Sequence, residues 1–512
     1  MKKRFLSILL VMVIAAAALT GCGGGKQNAE STSGTDPSDE QPTSGGSVKV
    51  GMTQDLVSLD PHSISDAGTR NVVFNIYEGL VKPTADGDLI PAVASDYKIS
   101  EDGMTYTFTL RDGIKFHNGD SVTAKDIVYS LKRYAEIQGE SSAFSVVEKI
   151  EAVDDKTVEI SLKEKNTEFL PQLTVAIIPE SITDIAKEPV GTGPFKFESY
   201  TPGQKLILVK FDDYWQPGKP YLDSVEFKII ANMETAYTQL QSGSIDILNY
   251  LTIDQVESLS KDKFNVVTGS MNLIHALYLN NDYEPLRDVR VRQAICYAVN
   301  RDSINEFLFG GESTIIGAPM PKKIARYYNA DVADAYPYDP AKAKELLKQA
   351  GYEDGFELVI QVPSSYSQHV ATAQIIVEDL KAVGIKASIK QIEWSSWLDD
   401  VYKGRKYQAT VTGVDGTLAP GSWFARYRSD AGKNFINYKS DKFDETYDKA
   451  LAAPDNEEKD ALYKELQQIL SDDAASVYIE DPADFVGTTK RVRGYVFYPT
   501  AAWDMSCVYV TE

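Results

Sequence analysis

Two spacings of hydrophobic residues alternate along most of the chain, one typical of strands and the other of helices. Alternating apolar positions over 105–110 place Tyr106, Phe108 and Leu110 on one face and predict a half-buried strand. Apolar positions three and four residues apart over 288–299 predict an amphipathic helix. The same criteria predict strands at 47–53, 153–162, 206–211, 225–230, 245–251, 273–280, 356–362, 385–392, 407–412 and 495–510, and helices at 71–80, 234–241, 368–383 and 463–470.

Strands and helices follow one another in a regular order in the second half of the chain. The strand 356–362, the helix 368–383 and the strand 385–392 form one unit, and a short helix leads on to the strand 407–412. Two successive crossovers of this length predict a parallel sheet with right-handed connections. The sequence therefore predicts an α/β fold, with a further strand–helix–strand unit over 225–251 in the first half.

Residues 83–189 are rich in turn signals and predict a small α+β insert. Asp102-Gly103 is a pair typical of hairpin turns, and it precedes the strand 105–110. Thr123 followed by Asp126 three residues later predicts a capping box at the start of a helix. The insert is expected to interrupt a larger domain of the same chain.

The N-terminal residues have the pattern of an export signal followed by a tether. Basic residues at 2–4 precede an apolar run at 5–19, which is shorter than the roughly 20 residues that a spanning helix needs. The run ends in Leu19-Thr20-Gly21-Cys22, which looks like a bacterial lipobox, with Cys22 as the lipid-modified N-terminus after cleavage. An ordinary signal peptide with a chance cysteine is the alternative. Residues 22–46 contain almost no apolar side chains and predict a flexible tether.

The composition excludes several classes of function. The chain of 512 residues has a formal net charge of −22, and loss of the three basic residues in the leader brings it to −25, which argues against a nucleic-acid ligand. Three cysteines exclude a disulfide scaffold; Cys296 and Cys507 fit buried thiols better than a pair. Four scattered histidines predict no metal site, and no motif for a catalytic nucleophile, a phosphate loop or a cofactor occurs. The chain is therefore not expected to be an enzyme.

Candidate ligand-binding residues follow from the rule that open α/β sheets bind ligands beyond the carboxyl ends of their strands. Hydroxyl groups, aromatic rings and one carboxylate come after the three strands of the second half, and they suit a polar ligand with an amine. Each has another explanation: the tryptophans could be core residues, and Asp415 could be a turn aspartate before Gly416. The candidates are Ser364, Ser365, Tyr366, Trp394, Trp397, Gly413, Val414 and Asp415, with Trp423 and Trp503 equally suited to a core or a cleft.

Five segments in order closely resemble the large bacterial extracellular solute-binding proteins of the peptide/nickel type. This family includes the lipoprotein receptors of oligopeptide and dipeptide ABC importers, and the resemblance covers nearly all of the chain from Ser47 onward. The segments are Leu59-Asp60-Pro61 with Tyr77-Glu78-Gly79-Leu80, the run 101–126, Gly191-Thr192-Gly193-Pro194-Phe195, residues 287–294, and Tyr338-Asp339-Pro340 to Ala350-Gly351-Tyr352.

The resemblance implies a two-lobed, periplasmic-binding-protein-like fold with a hinge. It further implies a monomer that is lipid-anchored to the cell membrane outside the cytoplasm, captures a peptide between its lobes and passes it to a permease driven by an ATPase. No cofactor, metal or nucleic acid is expected. The implied divisions are the signal peptide 1–21, the tether 22–46, lobe I at 47–82, 190–277 and 488–512, its insert at 83–189, and lobe II at 278–487.

The sequence departs from the family at two ligand positions. The family's Gly-Trp-x-x-Asp pattern, whose aspartate pairs with the peptide ammonium, here reads Gly413-Val414-Asp415-Gly416. The arginine that dipeptide receptors tend to place after the strand 356–362 is replaced by residues 363–366, which contain no cation. The departures favour a longer peptide or another solute. A receptor for a metal chelate or an oligosaccharide is the alternative, and an enzyme or an adhesin on the same scaffold is the rival class.

Overall fold

The chain is organised around two large β-sheets. The structure is a computed structural model, and it describes residues 41–64, 66–139, 143–454 and 456–511. The chain divides into two units, Met1–Gln41 and Pro42–Glu512, and the fold given below lies in the second. Cys22 and the proposed leader lie outside the described residues. The strands are β1 Ser47–Met52, β2 Val81–Pro83, β3 Leu89–Pro91, β4 Ala94–Ile99, β5 Thr105–Leu110, β6 Val147–Ala152, β7 Thr157–Leu162, β8 Phe195–Thr201, β9 Lys205–Lys210, β10 Ser224–Ile229, β11 Ile247–Leu248, β12 Phe264–Ser270, β13 Ile274–Leu279, β14 Thr314–Ile315, β15 Glu357–Pro363, β16 Lys386–Ile392, β17 Ala409–Val414, β18 Val477–Asp481, β19 Ala483–Thr489, β20 Val492–Arg493 and β21 Tyr509–Val510.

Helices lie in the connections between the parallel strands of the two large sheets, and short 3-10 turns and a π-helix accompany them. The predicted helix at 288–299 is confirmed, and the residues of its apolar face are buried: Val291, Ala294, Ile295 and Ala298. The α-helices are α1 Ala67–Val73, α2 Ala124–Gln138, α3 Met233–Gln241, α4 Ile253–Ser258, α5 Glu284–Arg287, α6 Val289–Ala298, α7 Arg301–Phe309, α8 Pro340–Gln349, α9 Ser367–Ala382, α10 Trp394–Ser396, α11 Gly421–Phe424, α12 Asp441–Ala452 and α13 Glu457–Asp472. The 3-10 turns are Ala143–Val146, Leu170–Thr174, Ala330–Val332 and Ala425–Tyr427, and the π-helix is Trp397–Lys403.

The first lobe is built on a seven-stranded mixed sheet with the order β12-β19-β11-β1-β10-β9-β8. Strand β1 pairs in parallel with β10 and with β11, so β10, α3 and β11 form the strand–helix–strand unit expected from the sequence. The sheet includes strands from both ends of the chain. The first lobe is therefore assembled from segments far apart in sequence.

The second lobe is built on a six-stranded sheet with the order β14-β18-β13-β17-β15-β16. Strand β15 pairs in parallel with β16 and with β17, which confirms the two predicted crossovers. Every residue of β13 is buried, because this strand lies in the middle of the sheet. The α/β, two-lobed architecture expected from the sequence is confirmed.

A four-stranded antiparallel sheet, β4-β5-β7-β6, and helix α2 form the insert of the first lobe. Its hydrophobic core continues into first-lobe residues such as Leu80 and Val190. The ring of His117 also lies 3.0 Å from the carbonyl oxygen of Gly193 in the first lobe. The insert is thus joined to the first lobe by an apolar core and by hydrogen bonds.

Three predicted elements are wrong in extent. Helix α1 begins at Ala67 rather than 71, because the Asp66 carboxylate accepts a hydrogen bond from the Thr69 backbone N–H and caps it. The strand predicted at 245–251 is limited to β11, and the one predicted at 153–162 begins at Thr157 after a turn. A spacing of apolar residues locates an element, but it does not show where its backbone hydrogen bonds stop.

The chain crosses between the lobes twice. The first crossing joins β12 to β13, and the second joins β18 to β19 at 481–483, whereas the sequence places this return at 487–488. The tail beyond β19 packs Trp503, Met505 and Val508 into the first-lobe core. Among the described residues of the tail only β20 and β21 are strands, so the strand predicted at 495–510 is wrong. Its buried apolar residues lie instead in segments without regular secondary structure.

Candidate ligand-binding cleft

Three parallel strands of the second lobe end at the same edge of their sheet. Strands β15 and β16 run in register, so that Pro363 lies beside Ile392 at their carboxyl ends. The residues that follow therefore meet: the Ser364 hydroxyl lies 3.4 Å from a carboxylate oxygen of Glu393. The structure thus brings together the chain segments that the strand-end rule selects.

Two exposed aromatic rings form the surface of this edge. Tyr366 is 45% exposed and Trp394 is 37% exposed, and their rings meet edge to face at 5.4 Å. Behind them, Trp397 is buried, stacks on Trp394 at 4.9 Å and donates its indole N–H to the Thr410 hydroxyl. Trp394 and Tyr366 are therefore available to a ligand, and Trp397 supports them from the core.

Asp415 lies where the two lobes meet. Its carboxylate is 3.4 Å from the guanidinium of Arg70, which belongs to helix α1 of the first lobe. A second guanidinium, that of Arg426, donates to the main-chain carbonyl of Asp415. The Asp415 side chain is 60% exposed, so its ion pair with Arg70 contributes little to stability in water. The carboxylate is accessible from the space between the lobes.

The other two candidate tryptophans are buried. Trp423 is 2% exposed, and its indole N–H donates to the Thr417 carbonyl, which fixes the loop after Asp415. Trp503 is 7% exposed and packs in the first lobe, with its ring 6.2 Å from that of Tyr250. Both are therefore core residues of their lobes in this structure.

Gly413 and Val414 end strand β17 beside strand β13. A Cβ atom at position 413 would lie 2.2 Å from a methyl group of Leu273, so a larger residue there requires the Leu273 side chain to move. The Gly413 N–H donates to Nε2 of His369, and Nδ1 of His369 lies 3.1 Å from Nε2 of His275. A backbone N–H can only donate, so Nε2 of His369 is the acceptor and carries no proton. The proton of the neutral ring is therefore on Nδ1, which donates to Nε2 of His275.

The hydrogen-bonded chain ends on a buried carboxyl group. Nδ1 of His275 lies 3.3 Å from an oxygen of Glu480, which is fully buried. Burial lowers the pKa of His275 to about 4 and also lowers the pKa of His369, while it raises the pKa of Glu480 to about 8. Sequence reasoning treated the histidines as scattered and missed this pair, because their 94 residues of separation carry no local signal.

Tyr250 is an exposed candidate residue of the first lobe, near Arg70, that the sequence reasoning missed. Its φ of +64° is in the left-handed region, which is rare for a bulky side chain, and it is 41% exposed. The backbone N–H donates to Asp484, and the hydroxyl accepts from Asn71, the neighbour of Arg70. Applied to strand β11 of the first lobe, the strand-end rule would have selected Tyr250.

The two crossings lie side by side and form the hinge. The Met271 N–H donates to the Pro482 carbonyl at 2.9 Å, and the Leu273 N–H donates to the Asp481 carboxylate at 3.1 Å. Asn272, with a φ of +52°, donates from its amide to the Tyr498 carbonyl. Burial raises the pKa of Asp481 to about 6.

The described part of the chain contains neither a cluster of metal ligands nor a helix suited to a bilayer. Within 41–64, 66–139, 143–454 and 456–511, no three His, Cys, Asp or Glu side chains are grouped as a metal ion requires. None of the helices in those ranges is both long enough and apolar enough to span a bilayer. Cys296 and Cys507 are free thiols; Cys296 is buried, and Cys507 is partly exposed and accepts a hydrogen bond from Lys219.

Comparison with known proteins gives one consistent result. A family model described as bacterial extracellular solute-binding proteins, family 5 Middle, matches residues 88–435. The chain is 30% identical over 495 residues to the glutathione-binding protein GsiB of Pectobacterium atrosepticum, covering 91% of this chain and 94% of that protein. It is 30% identical over 461 residues to the dipeptide-binding protein of Escherichia coli, covering 80% and 84%.

A solved structure extends the similarity to three dimensions. The ABC transporter-associated periplasmic binding protein DppA from Helicobacter pylori, in complex with the peptide STSA, superimposes with a TM-score of 0.78. The two sequences are 30% identical, and the match covers 92% of this chain and 99% of that one. The similarity therefore includes both lobes and the insert.

Proposed function

The chain belongs to the bacterial extracellular solute-binding proteins of family 5, and on this basis we propose that it is the receptor of an ABC importer for peptides. It captures a peptide between its two lobes and delivers it to a membrane permease driven by an ATPase. The named relatives bind glutathione, dipeptides or the peptide STSA, which supports a peptide ligand. Binding proceeds through hinge closure, because the ligand contributes contacts that only the closed form makes.

The single observation that carries this proposal is the Arg70–Asp415 contact across the lobes, at 3.4 Å. It places the strand ends of the second lobe opposite helix α1 of the first. The exposed rings of Tyr366 and Trp394 lie at the same strand ends. A peptide between the lobes would meet hydroxyl groups, aromatic surface and a carboxylate, as a polar ligand with an amine requires.

The ligand contacts are proposed residue by residue. Asp415 pairs with the peptide ammonium, in place of part of its contact with Arg70, and the rings of Tyr366 and Trp394 cover apolar side chains. Main-chain groups at Gly413 and Val414, and the polar residues Ser364 and Ser365, contact the peptide backbone in the manner of an added strand. Trp397, Trp423 and Trp503 act through these residues.

Membrane attachment is proposed through Cys22, which lies outside the described residues. Several acyl chains on one residue anchor a protein stably, whereas a single chain is marginal. Mass spectrometry of the mature protein should find an N-terminal Cys22 carrying a diacylglyceryl group. Cys22→Ser should abolish this modification, and an unmodified Cys22 in the membrane-associated protein would contradict the proposal.

The protein is also proposed to be a monomer. Light scattering of the lipid-free protein should show a monomer.

Identification of the bound ligand is the direct test of the function. The protein, purified without denaturation, is analysed by native mass spectrometry, and the released compound is sequenced by fragmentation. A peptide with a free ammonium group is the expected result. A metal chelate or an oligosaccharide would replace the peptide assignment. Cleavage of added peptides during incubation would show an enzyme instead.

A further inference from the structure

Away from the ligand cleft, the insert contacts the second lobe through a short loop after strand β7. Thr167 in this loop donates its hydroxyl to the Leu451 carbonyl at 3.3 Å, and it accepts from the Lys459 ammonium at 2.9 Å. Glu168 is the next residue in the sequence and is 5% exposed. Helices α12 and α13 of the second lobe therefore hold a loop that belongs to the first.

The Glu168 carboxylate is surrounded by donors of the second lobe. The Gly421 N–H donates to one oxygen at 2.8 Å, the Tyr463 hydroxyl donates to the other, and the Lys459 ammonium lies 3.7 Å from that second oxygen. Lys459 is 2% exposed and Tyr463 is fully buried. Burial raises the pKa of Glu168, and Lys459, Tyr463 and Gly421 oppose that rise. Two unlike charges and three donors are thus enclosed at a junction between the lobes.

This junction differs from the way the insert is joined to the first lobe. The insert shares a hydrophobic core with the first lobe, and His117 adds hydrogen bonds to it. The contacts of Thr167 and Glu168 with the second lobe are polar. Polar groups can be hydrated again when the surfaces separate, whereas separation of an apolar core exposes it to water. The loop can therefore leave the second lobe during hinge opening while the insert stays attached.

We propose that Glu168 is a closure latch, which docks between Gly421, Lys459 and Tyr463 when the lobes close and stabilises the closed form even in the ligand-free protein. The latch adds to the ligand's own contacts and so raises ligand affinity. Its effect on affinity rests on the proposed function, but its effect on closure does not. Ligand identification tests the function, and docking of Glu168 in the ligand-free protein tests the latch.

Gly421 provides a test that leaves every charge in place. A Cβ atom at this position would lie 2.5 Å from the Glu168 carboxylate and 3.0 Å from the Tyr463 hydroxyl. Gly421→Ala should therefore prevent docking without removing a latch residue. Gly432→Ala is the matched control, because the space around its Cβ position is open to 4 Å and its backbone needs no left-handed conformation.

Hydrogen exchange of the segment that starts at Gly421, measured in the ligand-free protein, reports docking of Glu168 directly. Glu168→Ala and Gly421→Ala should each accelerate its exchange by about tenfold or more, because the closed form loses its buried pairing. Glu164→Ala, in the exposed part of the same loop, and Gly432→Ala should leave the exchange within about twofold of the parent protein. Exchange unchanged in both latch variants would overturn the proposal.

A charge-partner cycle separates the latch from a general loss of stability. Lys459→Met leaves the Glu168 carboxylate uncompensated in the closed form and should accelerate exchange at Gly421 more than the pair Lys459→Met with Glu168→Gln does. Glutamine at 168 keeps an oxygen that accepts from Gly421. Additive effects of the two substitutions would overturn the pairing. Circular dichroism of each variant confirms that it folds.

Discussion

At the scale of single residues, the environment decides roles that residue type leaves open. Trp394 and Trp397 are three positions apart and stacked in parallel, yet Trp394 is 37% exposed and Trp397 is 3% exposed. Asp415 precedes a glycine as a turn aspartate would, but its carboxylate reaches across to Arg70 of the other lobe. Identical side chains are therefore exposed or buried according to which neighbours cover them.

Asp415→Asn should weaken peptide binding by about 1–3 kcal/mol, because the ammonium of a peptide bound as proposed loses its charged acceptor. Calorimetry with the co-purified peptide measures the change. Asp399→Asn is the control, since Asp399 is an exposed carboxylate of the same lobe that pairs with Lys403. Equal affinity of the parent and Asp415→Asn proteins would remove Asp415 from the ligand site.

At the scale of elements, local signals predict best where the determining contacts are also local. The capping box at the start of helix α2 is present: the Thr123 N–H donates to the Asp126 carboxylate at 2.9 Å. Strand β11 is shorter than its apolar pattern, because Tyr250 turns into the left-handed region and ends the pairing. The pattern of apolar residues could not predict that turn, because Tyr250 is held there by hydrogen bonds with Asn71 and Asp484, which are distant in sequence.

Asp126→Ala should lower the free energy of unfolding by about 1–2 kcal/mol, since the carboxylate caps helix α2 and also accepts from the Glu180 N–H. Urea denaturation followed by circular dichroism gives the value. Lys125→Ala changes an exposed residue in the same turn and should have an effect of about 0.5 kcal/mol or less. A loss no larger than that of the Lys125 variant would show that the capping box adds nothing.

At the scale of the whole molecule, buried carboxyl groups gather where the lobes join. Asp481 lies in the second crossing, with Glu480 on one side and Asp484 on the other. Burial raises the pKa of each of them, to about 6 for Asp481, about 8 for Glu480 and about 7 for Asp484. Folding therefore favours their protonated forms, and the stability of the molecule depends on pH.

Stability should fall as pH rises toward 8, because Glu480 remains protonated in the folded protein but is ionised in the unfolded chain above its ordinary pKa. One such group contributes a slope of about 1.4 kcal/mol per pH unit. The pKa values of His62, His117, His275 and His369 are all lowered by burial, so stability is also lost as pH falls through about 6.5. At pH 6.5 half of each unfolded-state imidazole is still protonated, so the histidine contribution fades toward pH 8, where the carboxyl groups dominate the slope.

Glu480→Gln should reduce this slope by about 1.4 kcal/mol per pH unit, since glutamine keeps an acceptor for His275 and does not titrate. Urea denaturation at pH 6.5, 7.0 and 7.5 measures it, and Asp484 leaves a residual slope in the variant. Glu378→Gln, at an exposed position on helix α9, should keep the slope of the parent protein. Parallel curves for the parent and Glu480→Gln proteins would show that Glu480 is already ionised in the folded protein over this range.

Patterns along the chain were enough to predict many of the strands and helices, the two parallel crossovers of the second lobe and the family. These follow from patterns within some thirty residues, where spacing and capping act locally. Three-dimensional packing was needed to show that His275 meets His369 and Glu480, and that Glu168 lies beside Lys459 across the lobes. Such contacts join residues about a hundred or more positions apart, and the packing of whole elements, rather than any local preference, brings them together.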